Sequence, residues 1–544
     1  MEQAGHAAAA SRRSDLLAMA TLLAGALAVG LWYIAVGHPA YYDLEWIFFE
    51  RGNQLYRAGV ILDGGRLYRD VAFQYGPLAA QLHAAWSAAA GISITSTLAW
   101  HLFWSLAGIA LGYRVFRLLV APWPAAFYSA LLWVPLMLEP GGLVRMINAE
   151  HQTLDRIWLL TILLLWSPPA KRTTGRSLGI GAAMAAWQWT KFGGAVFAGA
   201  AMVLVDLACL LTHDRSAAAG KRWVSGLLVI LATVLVGEGL LVAWCLSWAT
   251  VQETWDIVLP LYMSKAYDVA LTPRWPGWHG PFHFLQFQLL PLLALLLGMA
   301  AWLRNSPARR RGHAVAWISA GFYLLGVGTY IRVEANFHLY AFALAPLAVA
   351  GLVSLAEFPR RLVTVLLLIP FAILVRSAAT PWAAPPGQAA PDRAYALPGG
   401  ESLWLTPANA ERLARLEDVV RKVHALPGER VVLAWLGYEW EGGGFLHYYE
   451  PRYPLANFFA SPGMVRPSDV EEIRAALPRA GALVLYAPGG TLDLARERFG
   501  RFLPPDLVEE VMENFERDDV HSCKWFVVLR PKQDGHSRNG PPPL

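Results

Sequence analysis

The stretch YYDLEWIFFERGNQLYRAGVILDGGRLYRDVAFQYGP, residues 41–77, begins just beyond a long apolar run. It holds three aspartates, two glutamates and four arginines among tyrosines, phenylalanines and a tryptophan. Asp43 and Glu45 come first, with aromatic residues on both sides. An ionised carboxylate beside hydrocarbon is expensive, so it needs a partner or a task. The partner reading pairs these acids with Arg51 or Arg69. The other reading makes one acid a general base for a hydroxyl and the second its neighbour in the pocket. Arg69 and Asp70, in GGRLYRDVAFQYGPL, either pin the loop as a salt bridge or serve a substrate. In the second case Asp70 shapes the acceptor floor and Arg69 binds an anion.

Further basic and polar residues recur at the ends of later apolar runs. WQWTKFGG places Lys191 in a tight turn beside Gly193 and Gly194, where an anionic headgroup could approach the backbone. The alternative is a lysine that snorkels to the interface. GLVRMINAEHQTLDRIW carries Arg145, Glu150, His151, Asp155 and Arg156. Arg145 and Arg156 are candidates for the same anion, and Glu150–His151 is either a metal or acid–base pair or, as the preferred reading, hydrogen-bonded packing. IRVEANFHLYAFALAPLAVA supplies Arg332, His338 and Tyr340. A guanidinium fork matches phosphate oxygens, so Arg332 is a phosphate ligand or else a surface anchor. Lys265, Arg274, Trp275, Trp278 and His279 could line a lipid or sugar site.

What must position these residues follows from composition. The 544-residue chain is 56% hydrophobic and 16% charged, against about 25% charged for a soluble protein. Repeated apolar runs of about 20 residues make it a polytopic helical membrane protein. Many of its 24 tryptophans sit near the ends of those runs, where a membrane interface favours them. The net charge of +5 comes from short basic loops and does not point to nucleic acid. Cys209, Cys245 and Cys523 offer neither a disulfide framework nor a metal spacing, and no dinucleotide fingerprint occurs.

Eleven spans are expected, near 16–37, 95–118, 121–139, 151–168, 177–190, 192–212, 223–247, 282–303, 313–330, 338–357 and 361–377. The first follows Arg12 and Arg13 and is too long for a signal-peptide core, so an uncleaved span is expected. With the N-terminus inside, the basic loops at Lys171, Asp214–Arg222, Arg304–His313 and Arg360 all fall inside, as the positive-inside rule requires. The 38–94 loop, a loop near 140–150, the 248–281 loop and everything past 377 then lie outside. Within the 38–94 loop, LEWIFFERGNQLYRAG and GPLAAQLHAAWSAAAG have the spacing of amphipathic surface helices.

The expected domains are a transmembrane domain over 1–377, a proline-rich linker over 378–400, an α/β domain over 401–531 and a disordered tail over 532–544. NAERLARLEDVVRKVHAL, PSDVEEIRAAL and TLDLARERF read as helices, and RVVLAWL, GALVLYA and KWFVVLRP as strands.

A first span, an acidic pair, an amphipathic helix, then G-x-x-Y-R-D and Y-G-P-L together resemble the opening of GT-C-type membrane glycosyltransferases. The resemblance is to the branch with bacterial lipopolysaccharide glycosyltransferases, the aminoarabinose transferase and the protein O-mannosyltransferases. Here Leu44 separates the two acids. Asp43 matches the catalytic aspartate, with Glu45 its alternate. TKFGG resembles the family's lysine segment through Lys191. HLYAFALAP resembles its H-Y-x-x-P segment through His338, Tyr340 and Pro346, without the first proline.

The resemblance implies a polyprenyl-phosphate-linked sugar as donor and an acceptor arriving from the outer face. It implies inverting transfer with a first-loop carboxylate as base, in a bacterial inner membrane. Arg69, Asp70, Arg145, Lys191, Arg332, His338 and Tyr340 are the substrate-binding candidates. Some relatives use a divalent metal, but the sequence holds no convincing ligand cluster. The rival functions are a membrane transporter and a non-catalytic assembly protein for envelope polysaccharide. A transporter would place its ionisable residues near the midplane of broken spans.

Overall fold

A computed structural model of the chain describes residues 2–35, 52–69, 75–138, 149–191, 194–213 and 215–258 of the helical part. Beyond these it describes residues 314, 315, 318, 393–396, 402–407, 410, 411, 413, 414, 417, 418, 421, 432–436, 457–460, 467–486, 491–493, 503–522 and 526–532. Element labels run over the described residues. The expected spans from 282–303 onward lie outside them, apart from residues 314, 315 and 318, which are helical.

The helical part begins with α1 (Glu2–Ala35), α2 (Gly52–Leu62), α3 (Pro77–Ala90), α4 (Ile94–Phe116) and α5 (Pro122–Leu138). It continues with α6 (Ala149–Leu165), α7 (Thr174–Gln188), α8 (Gly194–Thr212), α9 (Ala217–Leu246) and α10 (Val251–Val258). Windows within α1, α4, α8 and α9 are long and apolar enough to cross a membrane. The chain is therefore a multi-helical membrane protein, with four such helices among the described residues. Val196, Leu204 and Leu211 of α8 and Leu228, Leu235 and Leu240 of α9 are exposed. Such an apolar exterior is what a bilayer covers.

The helix starts are written locally. Pro77 begins α3, where its missing N–H costs nothing. Ser93, Thr173 and Ser216 cap α4, α7 and α9 by accepting the backbone N–H three residues on. Helices occur at both places expected in the first loop, α2 and α3, and much of each is buried, including Leu55, Tyr56 and Val60 of α2 and Ala79, Ala80 and Ala84 of α3.

Packing sets the order of the bundle. α4 lies against α1, α5 and α6, α6 lies against α7, and α7 runs along α9. Asp15 of α1 accepts from Tyr113 (2.6 Å) and Arg117 (2.5 Å) at the end of α4, and farther along α1 Gly30 lies against Leu102 in the first half of α4, so these helices are antiparallel. Arg222 donates to the Ala170 carbonyl at 2.6 Å near the start of both α7 and α9. Trp189 donates to the Gly237 carbonyl at 3.2 Å farther along both, so these two are parallel. The contact is close because position 237 has no side chain. A Cβ there would stand 2.6 Å from Cβ of Ala185.

The C-terminal part is β-containing. β1 (Arg393–Ala396) and β2 (Ser402–Leu405) form an antiparallel pair, so strand structure begins within the stretch read as linker. A five-stranded sheet has the order β4-β3-β5-β7-β6. Its strands are β3 (Val432–Leu436), β4 (Asn457–Ala460), β5 (Leu483–Tyr486), β6 (Phe515–Arg517) and β7 (Phe526–Pro531). β3 is parallel to β4 and β5, whereas β7 is antiparallel to β5 and β6. Helices α11 (Pro467–Ala476) and α12 (Pro505–Asn514) pack Ile473, Leu507 and Val511 with Leu483, Val527 and Leu529 in one apolar core. The strands expected from RVVLAWL, GALVLYA and KWFVVLRP correspond to β3, β5 and β7.

Candidate active site

One cluster joins the loop between α2 and α3, α6, the end of α7 and the end of α9. It starts from backbone atoms. The Gly76 N–H donates to the Thr190 carbonyl at 3.1 Å, and the Leu78 N–H donates to the Trp189 carbonyl at 2.9 Å. The loop between α2 and α3 is thereby laid onto the last turn of α7. The turn itself is closed by the Trp189 N–H on Ala185 (2.9 Å) and the Lys191 N–H on Trp187 (2.7 Å).

α6 holds the same turn from another side. Trp158 donates its indole N–H to Thr190 Oγ1 at 3.0 Å, and that hydroxyl donates to the Ala186 carbonyl at 2.8 Å. Lys191 then extends with its Nζ 5.6 Å from the centre of the Tyr75 ring. That is within the range at which an aromatic face attracts a cation. Asp155, three residues before Trp158 on α6, is fully buried, and Arg156 is buried beside it.

Burial pushes Lys191 below the usual lysine range, and the Asp155 carboxylate pulls it part of the way back. Removing water disfavours the charged ammonium, while a nearby negative charge favours it.

Tyr75 is placed by Tyr68. The Tyr68 hydroxyl donates to the Tyr75 carbonyl at 2.5 Å. Tyr68 has φ of 74°, a left-handed conformation that costs a non-glycine residue about 1–3 kcal/mol. Its surroundings hold it there. The side chain is buried, and its ring stacks on Trp248 with centres 6.4 Å apart and planes 7° apart. Trp244 meets Trp248 edge-on at 5.5 Å. The end of α9 thus holds the loop that carries Tyr75.

Of the residues expected from sequence to serve the site, Lys191 lies in this cluster. Arg69 lies in the same loop after Tyr68 and is exposed. Asp43, Glu45, Asp70, Arg145, Arg332, His338 and Tyr340 lie outside the described residues. Tyr75, Asp155, Trp158 and Thr190 carry the arrangement without having been singled out for it. The signal for Asp155 was present, as a carboxylate early in an apolar helix demands a reason.

Among the described residues no three of His, Cys, Asp or Glu gather as metal ligands would. One carboxylate, a lysine and aromatic rings do not form the oxygen set of a hard divalent cation, so no metal is assigned to this cluster.

No family model matches the chain, and no curated protein sequence matches it. Solved structures do. ArnT from Cupriavidus metallidurans bound to undecaprenyl phosphate is 13% identical with a TM-score of 0.39. That match covers 94% of this chain and 97% of the other. The Archaeoglobus fulgidus oligosaccharyltransferase tethered with an acceptor peptide is 12% identical with a TM-score of 0.48, over 90% of this chain and 72% of the other. The same organism's AglB, in complex with an inhibitory peptide and a dolichol-phosphate, is 11% identical with a TM-score of 0.48. It covers 96% of this chain and 75% of its own.

Proposed function

We propose that the chain transfers a sugar from a polyprenyl-phosphate-linked donor to an acceptor on the outer side of the membrane, with inversion at the anomeric carbon. The observation that carries this reading is the cluster at the end of α7. There Lys191 lies against the Tyr75 ring with the buried Asp155 nearby, where the Y-G-P-L motif of the first loop meets the T-K motif at the end of α7, and both motifs resemble those of GT-C-type transferases. The lipid part of such a donor is of the kind named in the ArnT and AglB structures, undecaprenyl phosphate and a dolichol-phosphate.

In this mechanism Asp43, or Glu45 in its place, takes the proton of the acceptor hydroxyl. The freed oxygen attacks the anomeric carbon from the face opposite the lipid phosphate. The bond from that carbon to the phosphate oxygen breaks, and the polyprenyl phosphate leaves. Lys191 offsets the growing phosphate charge. In a site with little water such stabilisation is far stronger than in bulk solvent. Carboxylates beside the membrane surface suit this chemistry because a lipid-borne sugar is presented at that depth.

The test is release of polyprenyl phosphate by the purified protein in detergent, from a small panel of polyprenyl-phosphate sugars with a cell-envelope extract as acceptor. Wild-type turnover that is lost in a still-folded Asp43→Asn form supports both the activity and the base. Turnover that survives Asp43→Asn but vanishes in Glu45→Gln keeps the activity and moves the base. Absence of both turnover and donor binding overturns the reading and leaves transport as the next candidate.

A further inference from the structure

We infer that Asp155 is a positioning residue for this transfer: its buried carboxylate holds the Lys191 ammonium at the phosphate end of the donor site. The inference rests on the glycosyltransferase reading and assigns a role to a residue outside the family's matched motifs.

The argument begins with burial. The Asp155 side chain is wholly removed from solvent on α6. A buried carboxylate carries a desolvation penalty that an opposite charge must offset. Trp158 stands three residues farther along α6, so it shares a helix face with Asp155. The indole of Trp158 is bonded to Thr190, the neighbour of Lys191. That bond brings the Asp155 face of α6 to the turn bearing the lysine. Arg156 is the adjacent residue and projects from a different part of the helix surface.

Two demands on Lys191 conflict, and Asp155 reconciles them. A lysine stabilises phosphate charge best where water is sparse. Yet loss of water lowers the ammonium toward its neutral form, which carries no charge to offer. A carboxylate on the opposite side restores the charge. The ammonium has three N–H donors, so it can serve Asp155 and a phosphate oxygen together. An arginine would need no such help, because its guanidinium stays protonated in proteins. The other ionisable groups on the elements packed around this turn are Glu150, His151 and Arg156 of α6, Asp63, Arg66, Tyr68, Arg69 and Tyr75 of the first loop, His83 of α3, and Glu238 and Cys245 of α9, whose Lys221 and Arg222 stand at its far end.

The experiment has two readouts. The first is donor turnover between pH 6 and 9 for wild type, Asp155→Asn, Asp155→Glu and the double form Asp155→Asn with Lys191→Arg. Asp155→Asn is expected to lose about 100-fold in kcat/KM at pH 8.5 and only about 5-fold at pH 6, because acid restores the lysine proton. Asp155→Glu should stay within about 10-fold of wild type, and the double form should lose its pH dependence. An equal loss at every pH marks a packing role and overturns the proposal, as does no loss.

The second readout needs no substrate. The chain has seven lysines, few enough for reductive 13C-methylation and NMR titration, with Lys191 assigned through Lys191→Arg. Its midpoint should fall by at least about 1 pH unit in Asp155→Asn, and an unchanged midpoint overturns the proposal. If wild type turns over no donor, the transferase reading fails and the phosphate role falls with it. The titration then still decides the coupling of Asp155 to Lys191.

Discussion

Gly76 approaches Trp189 so closely that a Cβ on the glycine would stand 2.1 Å from the Trp189 carbonyl oxygen. The obstructing atom belongs to the backbone at the end of α7, so no rotamer change relieves the clash. This approach is what lets Gly76 and Leu78 donate to consecutive carbonyls of the turn.

Gly76→Ala is therefore expected to lift the first loop from α7 and to lower donor turnover by about 100-fold or more. Gly220→Ala in α9 is the control, since nothing lies within 4 Å of a Cβ there. Alanine within a helix is favoured over glycine by about 1 kcal/mol, so this form should match or exceed wild-type stability. Turnover per folded protein, checked by gel filtration, separates the two. Wild-type turnover in Gly76→Ala would remove the docking from the account of the site.

The other end of α7 gives a prediction about stability alone. Arg172 donates to both oxygens of Asp206 on α8, at 2.7 and 2.6 Å, and to the Ser167 carbonyl at 3.0 Å. Trp166 adds a bond to Asp206 at 3.0 Å, and both charged side chains are fully buried. Removing one partner leaves an uncompensated buried charge, at a cost of about 3–5 kcal/mol. Asp206→Leu should lower the thermal midpoint sharply in detergent. Adding Arg172→Met should recover most of the loss, because a buried pair is often replaceable by apolar groups of similar volume. The KM for donor should stay unchanged in the folded fraction, as the pair lies at the opposite end of α7 from Lys191.

The C-terminal part should show an acid limb set by Asp518. Burial alone would raise this carboxyl. Bonds from the His521 ring and backbone, with the charges of His521 and Arg530, outweigh it and hold the group below the usual aspartate range. A carboxyl depressed by folding contributes stability above its unfolded pKa and loses it as pH falls through the folded value. The loss should thus begin below about pH 4 and fall first on the segment from β6 to β7. Hydrogen exchange of that segment in the full chain, between pH 3 and 5, reads the effect. Asp518→Asn should flatten it, and an unaltered acid limb would refute the assignment.

Much of this architecture was legible in the sequence, where local chemistry writes it. Residues 94–116 and 194–212 are apolar runs bounded by polar or basic residues and form α4 and α8 within about two residues of the expected limits, whereas α9 takes in Lys221 and Arg222 and begins at Ala217, ahead of its expected start at 223. GPLAAQLHAAWSAAAG announces α3 through its Gly-Pro start and apolar spacing. LEWIFFERGNQLYRAG announces a helix too, though the described part of it, α2, reaches on to Leu62. At the site, the turn at Lys191 was visible because glycines follow the lysine. The role inferred for Asp155 was not, because Lys191 lies in a turn distant in sequence and adjacent acids and bases read equally well as packing. The close approach of Gly76 to Trp189 leaves no local trace. A glycine before a proline looks like a helix start whether or not another chain segment lies against it.

The join between the first loop and α7 is made by amide and carbonyl groups, which every residue other than proline supplies alike. Substitutions at positions 78, 189 and 190 can therefore accumulate over long divergence without undoing it, provided position 76 stays glycine. A lineage built this way can rewrite the side chains around its substrate while the attachment that orients them persists.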